Sequence, residues 1–158
     1  MDSKRPVEIL FVEDSPSDAR LVAECFRDSE IPNRLHTVID GEEALDFLHQ
    51  EVCYADSPRP DLVLLDLDIP KVHGLVVLDA IKRNPNLKNI PVIVLTASAI
   101  AEDVHQAYHL QANSYLSKPT DLDGFIEMVH SIERHWLKHA TLAPAEAEDP
   151  ATTAHEQM

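Results

Sequence analysis

Carboxylates directly follow two apolar runs of the chain. Glu13 and Asp14 come after the first run, and Asp66 and Asp68 come after the second. If the fold brings these run ends together, it places about three negative charges within a few ångströms, which is unfavourable without a cation. Carboxylate and carbonyl oxygens suit a hard divalent ion that retains several waters. We therefore expect a Mg²⁺ site.

A hydroxyl and an ammonium group follow two further apolar runs, at Thr96 and Lys118. With a divalent cation they would neutralise the equatorial oxygens of a phosphoryl group while an aspartate attacks in line. The chain has only 3 glycines and lacks the spacing of a phosphate-binding loop, which argues against a nucleotide cradle built from backbone amides. The residue types therefore predict phosphoryl transfer to an aspartate.

Apolar runs and amphipathic stretches alternate along the chain and predict five strand–helix units. The predicted strands are Val7–Val12, Leu35–Ile39, Asp61–Leu65, Pro91–Leu95 and Ser114–Leu116. The predicted helices are one capped by Ser15 with Pro16 at its first position, then Glu42–Gln50 after a turn at Asp40-Gly41, Leu75–Arg83, Ala99–Leu110 and Asp121–His139.

Five such units predict an α/β fold, since each crossover is right-handed and packs back on the sheet. The expected architecture is a flavodoxin-like, doubly wound, five-stranded parallel sheet of order 2-1-3-4-5 with five helices. In that order strands one and three are neighbours, and ligands bind at the carboxyl ends of the strands. We expect an N-terminal arm at 1–5, one domain at 6–139 and a disordered tail at 140–158.

Composition excludes several classes of function. The chain has 158 residues and a formal net charge of −15, which opposes nucleic acid and anionic membranes as partners. Its apolar runs are too short for a membrane span or a signal segment, which indicates a cytoplasmic protein. Cys25 and Cys53 are too few for a disulfide framework.

Four motifs at the predicted strand ends resemble those of response-regulator receiver domains. They are Glu13-Asp14, Leu64-Leu65-Asp66-Leu67-Asp68-Ile69-Pro70 with Gly74, Leu95-Thr96-Ala97-Ser98 and Leu116-Ser117-Lys118-Pro119. The resemblance covers residues 6–139 and implies a protein that accepts a phosphoryl group from a sensor histidine kinase. It implies no enzyme activity beyond self-catalysed phosphoryl transfer and autodephosphorylation.

The same resemblance implies a role for each residue of the site. Asp66 would be the phospho-acceptor and a metal ligand, and Asp14 a direct Mg²⁺ ligand. Glu13 would bind the ion through water, and Asp68 through its backbone carbonyl.

The resemblance also implies which groups would sense the phosphoryl group. Thr96 and Lys118 would contact its oxygens, and Tyr115 would be the switch aromatic that rotates inward when the Thr96 hydroxyl moves. No output domain is recognisable after residue 139, so we expect output through protein contacts or onward transfer to a downstream phosphotransfer protein.

A narrower resemblance is to the small response regulators that partner phytochrome-type histidine kinases. It lies in VEDSPSDAR (12–20), AYHLQANSY (107–115) and IERHWL (132–137). Those relatives commonly have Asp-Leu-Asn at the acceptor, whereas this chain has Asp68 two residues after Asp66. Because the resemblance implies a backbone ligand at this position, we expect the departure to leave metal binding intact and to affect turnover of the acyl phosphate.

The last predicted helix has more apolar side chains than one buried stripe requires. They include Phe125, Ile132, Trp136 and Leu137. We therefore expect a homodimer through the fourth predicted helix, the fifth strand and the last helix.

Two alternatives use the same residues. A haloacid-dehalogenase-type phosphohydrolase would use Asp66 as nucleophile and Asp68 as general acid–base. In that family, however, the Asp-x-Asp motif normally follows the first strand and precedes Gly-Thr or Val-Thr, whereas here it follows the third. The other alternative, a receiver-like binding scaffold without chemistry, is disfavoured because the acceptor and metal residues are intact.

Overall fold

A single sheet of five parallel strands organises the protein. The computed structural model describes residues 5–96 and 111–137. Its strands are β1 (Val7–Val12), β2 (Asn33–Val38), β3 (Leu62–Asp66), β4 (Val92–Thr96) and β5 (Ser114–Ser117). They are hydrogen-bonded in the order β2-β1-β3-β4-β5, and all neighbouring pairs are parallel. The predicted flavodoxin-like order 2-1-3-4-5 is therefore confirmed.

Four α-helices lie within the described ranges. They are α1 (Pro16–Arg27), α2 (Gly41–His49), α3 (Gly74–Arg83) and α4 (Leu122–Ile132). A short 3-10 turn, Val52–Tyr54, follows α2, and a π-helical turn, Glu133–Leu137, continues α4. The predicted helix Ala99–Leu110 lies outside the described residues, as do the tail at 140–158 and the first four residues of the arm. No helix of the described part is long and apolar enough to cross a membrane.

The sequence predicted the start of α1 correctly and the start of α2 wrongly. Ser15 caps α1 as expected, its Oγ accepting a hydrogen bond from the Asp18 N–H at 3.3 Å. The turn predicted at Asp40-Gly41 is wrong, because Asp40 is the N-cap of α2 and accepts a hydrogen bond from the Glu43 N–H at 2.7 Å. Aspartate is favoured in turns and at N-caps alike.

The core lies on both faces of the sheet, since the central strands are buried on both sides. One cluster packs under α2 and α3 and includes Leu10, Val12, Phe47, Val77 and Leu78. The other packs under α1 and α4 and includes Ile9, Phe11, Phe26, Phe125 and Ile132.

Two residues of the predicted dimer face are buried in the second cluster. Phe125 and Ile132 are 3% and 1% exposed and belong to the core, and Trp136 is half-buried against the same cluster. The interpretation of Phe125 and Ile132 as surplus apolar surface is therefore wrong, because α1 and the sheet cover them within the chain. The side chain of Leu137 lies outside the described part. The dimer itself stays a prediction.

Gly41 makes close contact with the loop that follows β3. A Cβ added there would lie 2.6 Å from the Val72 Cβ and closer still to the Val72 carbonyl oxygen. We expect Gly41→Ala to lower the free energy of unfolding by about 2 kcal/mol, because this overlap outweighs the helix propensity that alanine adds. Urea unfolding measures it, with the exposed neighbour Glu42→Ala as control, expected within about 0.5 kcal/mol of wild type. Equal stability of the two variants would contradict the close packing.

Candidate functional site

The carboxyl ends of β1, β3 and β5 bring three charged side chains into contact. Asp66 is the last residue of β3, while Glu13 and Lys118 directly follow β1 and β5. The Lys118 Nζ lies 2.8 Å from Asp66 Oδ2 and 2.8 Å from Glu13 Oε1. The convergence expected from the parallel sheet therefore holds for these residues, which come from positions up to 105 apart, from 13 to 118.

Three carboxylates at this edge could share one cation. Oxygen atoms of Glu13, Asp14 and Asp66 all lie within 4.8 Å of one another. Glu13 and Asp66 are buried, whereas Asp14 is exposed, which leaves an open side for water. An all-oxygen set of this charge with room for retained waters fits Mg²⁺. The cluster expected from the sequence is therefore present.

The backbone after Asp66 helps to orient its carboxylate. The Asp68 N–H donates a hydrogen bond to Asp66 Oδ1 at 2.9 Å, while the ammonium of Lys118 contacts the other oxygen. The Asp68 residue itself is exposed. The Asp66 carboxylate is therefore held at both oxygens.

Burial and the contacts between Lys118 and the carboxylates shift the pKa values at this site in opposite directions. Burial raises the pKa of Glu13 to about 7, with the charge of Asp66 adding to it and Lys118 opposing it. Burial would lower the pKa of Lys118, but its interactions with Asp66 and Glu13 outweigh that effect and raise it. Lys118 is therefore a permanent cation that partly offsets the carboxylates.

Thr96 and Tyr115 are the two residues expected to respond to the phosphoryl group. Thr96 is the last residue of β4 and pairs with Ser117 of β5, but its side chain lies outside the described part of the structure. Tyr115 of β5 is half-buried and packs against the cluster under α2 and α3. Their roles as phosphoryl ligand and switch stay predictions.

Sequence reasoning missed Asp18 as a neighbour of this site. Its Oδ2 lies 3.1 Å from the Lys118 Nζ. The sequence feature that could have predicted this contact is the position of Asp18 in the first turn of α1, three residues after the Ser15 cap. Because α1 starts just after β1, a carboxylate in this turn can reach the carboxyl edge of the sheet.

Comparison with known proteins decides the family. The model of the response regulator receiver domain matches residues 9–130. The chain belongs to the response regulator receiver domain family. It is 47% identical to the response regulator Rcp1 of Synechocystis sp. over 144 residues, covering 91% of this chain and 98% of that protein.

Solved structures of receiver domains agree with this assignment. The phosphorylated cyanobacterial phytochrome response regulator RcpA is 43% identical, with a TM-score of 0.83 over 87% of this chain and 98% of that one. The Mn²⁺-bound form of Rcp1 is 48% identical, with a TM-score of 0.80 over 84% of this chain and 95% of that one. The narrower resemblance to response regulators of the phytochrome type is confirmed, and the phosphohydrolase alternative finds no support.

Proposed function

We propose that this receiver domain accepts a phosphoryl group on Asp66 from a phytochrome-type sensor histidine kinase. The observation that carries the proposal is the buried Asp66 carboxylate, held 2.8 Å from the Lys118 ammonium beside two further carboxylates. The charges of this pocket are those that an in-line transfer to an aspartate requires. Similarity to Rcp1 and to the phytochrome response regulator RcpA supports the type of kinase.

In the proposed reaction, a carboxylate oxygen of Asp66 forms a bond to phosphorus as the bond between phosphorus and the donor breaks. With a phosphohistidine donor, the electron pair of the P–N bond stays on the imidazole nitrogen. Lys118 neutralises charge on the equatorial oxygens throughout, and the Thr96 hydroxyl donates a hydrogen bond to one of them. The product is an acyl phosphate on Asp66.

Mg²⁺ is the cation we assign to the acidic cluster. Asp14 and Asp66 would bind it directly, Glu13 through water and Asp68 through its backbone carbonyl. The ion would supply further charge neutralisation for the phosphoryl oxygens. The Mn²⁺-bound form of the relative Rcp1 supports a divalent cation.

The proposed output is a protein contact or onward transfer to a downstream phosphotransfer protein in the cytoplasm. Rotation of Tyr115 after the Thr96 hydroxyl moves would report the phosphoryl group to β5 and the neighbouring helices. The net charge of −15 disfavours nucleic acid and membrane surfaces as partners.

Stoichiometry tests the proposed function against phosphohydrolysis. With acetyl phosphate and Mg²⁺, we expect labelling that approaches one phosphoryl group per chain and disappears when the metal is chelated. Rapid multiple turnover of a phosphate monoester, without a labelled protein, would overturn the proposal and favour the alternative function as a phosphohydrolase.

Asp68 provides a prediction about the lifetime of the acyl phosphate. A carboxylate at the mouth of the crevice can orient or deprotonate water, and a positioned base contributes about 10²-fold or more. Its charge alone would slow the attack of hydroxide, but a solvent-screened charge has a smaller effect. We therefore expect Asp68→Asn to lengthen the lifetime while Mg²⁺ affinity stays nearly unchanged. Decay of labelled protein measures the lifetime, and a shorter or equal lifetime would show that Asp68 is not a base.

The homodimer is a separate prediction. β5 is an edge strand of the sheet and pairs with β4 alone among the strands of the described ranges, so its outer side can take part in an interface. We expect the mass of a dimer by light scattering at high micromolar concentration, through the helix predicted from the sequence at Ala99–Leu110 together with β5 and α4. A monomeric mass with and without phosphorylation would argue against it.

A further inference from the structure

Lys118 has a third carboxylate partner that the proposed function does not use. Its Nζ lies 3.1 Å from Asp18 Oδ2, compared with 2.8 Å from the oxygens of Glu13 and Asp66. The Lys118 side chain is 11% exposed, so these contacts lie in a mostly desolvated crevice. Attraction between opposite charges is stronger there than on the open surface.

Asp18 lies outside the group of carboxylates that could share a cation. That group consists of Glu13, Asp14 and Asp66, whereas Asp18 contacts the lysine from the first turn of α1. A carboxylate in the first turn of a helix is also favoured by the helix dipole. The dipole explains a negative charge on this turn but not its pairing with Lys118.

The number of donors on Lys118 makes Asp18 a competitor. An ammonium group has three N–H donors, and three carboxylate oxygens lie within 3.1 Å of the nitrogen. An incoming phosphoryl oxygen therefore competes with these oxygens for the positive charge of Lys118. Of the two partners that keep their charge during the transfer, Asp18 is the more easily replaced, since it has the longer contact and its side chain is 26% exposed, against 1% for Glu13.

We propose that Asp18 is a positioning residue that competes with the phosphoryl group for Lys118 and so favours the unphosphorylated state. The proposal rests on the proposed function, because it concerns the same transfer to Asp66. When the phosphoryl group arrives, Lys118 exchanges its contact with Asp18 for one with a phosphoryl oxygen. Asp18 forms no bond to phosphorus and lowers the rate of transfer through the lysine.

The test compares Asp18→Asn with a matched control on the same helix. Asparagine keeps the size of the side chain and leaves the backbone N–H that Ser15 caps. The control is Glu24→Gln, which removes the same charge from an α1 residue paired with Arg20 at 3.7 Å. With acetyl phosphate and Mg²⁺, we expect Asp18→Asn to be labelled about two- to fivefold faster than wild type, the effect of one partly exposed ion pair. The control should match wild type.

A double-mutant cycle shows whether Asp18 acts through Lys118. Adding Asp18→Asn to Lys118→Met should leave the labelling rate unchanged, because the competition no longer exists. If those proteins label too slowly, urea unfolding of the same four proteins without Mg²⁺ measures the coupling between the two positions. Labelling of Asp18→Asn at or below the wild-type rate, or an acceleration or stability effect independent of Lys118, overturns the inference. Failure of wild type to be labelled overturns the proposed function instead.

Discussion

Asp66→Asn is expected to reduce labelling by acetyl phosphate or phosphoramidate in the presence of Mg²⁺ to background. The amide has no carboxylate oxygen to attack phosphorus. It has nearly the same shape as the carboxylate, however, and fits the same space at the end of β3. Its carbonyl oxygen can still accept the hydrogen bond that the Asp68 N–H donates to Asp66 Oδ1 at 2.9 Å. Glu13 still pairs with the Lys118 ammonium at 2.8 Å, so we expect the loss to be one of chemistry rather than of fold. Incorporation of labelled phosphoryl groups measures it.

A second aspartate controls for loss of negative charge in the Asp66 experiment. Asp79 of α3 pairs with Arg83 at 2.9 Å on the surface, away from the acidic cluster. Asp79→Asn should be labelled like wild type, and unfolding curves should show both variants folded. Undiminished labelling of Asp66→Asn would remove the acceptor assignment.

Lys118→Met is expected to affect both transfer and stability. Removing a preorganised positive group that faces developing charge commonly lowers a rate by about 10²-fold or more, so labelling should slow by that order. In the free protein, Glu13 and Asp66 would lose their shared ammonium partner, which is 11% exposed. Breaking a buried ion pair by removing one partner typically costs about 3–5 kcal/mol.

The stability loss of Lys118→Met should depend on pH. Burial already raises the pKa of Glu13 to about 7, and loss of the lysine would raise it further. A group whose pKa is raised on folding stabilises the fold when protonated, and this contribution is lost as pH rises through the folded pKa. The destabilisation should therefore be larger at about pH 8 than at about pH 5.

Urea unfolding at both pH values tests the stability loss, with Lys71→Met as control. Lys71 is 61% exposed and lies 3.7 Å from Asp40, so its loss should change stability by no more than about 0.5 kcal/mol. Equal effects of the two substitutions would contradict the central position of Lys118 among the carboxylates.

Apolar runs with β-branched residues predicted the strands, because a central parallel strand is buried on both faces and therefore apolar throughout. Strand order then followed from the alternation of strands and helices, and it placed Glu13, Asp66 and Lys118 at one edge. Strand ends were less predictable. β2 begins at Asn33, two residues before its predicted start, since it pairs with the whole length of β1.

What remained unpredicted depends on packing between distant elements. Asp40-Gly41 is compatible with a turn and with a helix start, and the contact of the Gly41 N–H with the Pro70 carbonyl at 3.2 Å belongs to the second. Burial of Phe125 depends on α1 lying against α4. The pairing of Asp18 with Lys118 depends on how the first turn of α1 lies relative to the residue that follows β5. None of these contacts is visible in local patterns.

The acceptor assignment is tested most directly by locating the phosphoryl group on the chain. Protein labelled from a phosphorylated histidine kinase in the presence of Mg²⁺ is reduced with borohydride, which converts an aspartyl phosphate into homoserine. Digestion and mass spectrometry then identify the altered residue. We predict homoserine at position 66 and at none of the neighbouring carboxylates. Conversion at Asp14 or Asp68, or a labelled chain with Asp66 unaltered, would contradict the claim that Asp66 is the acceptor.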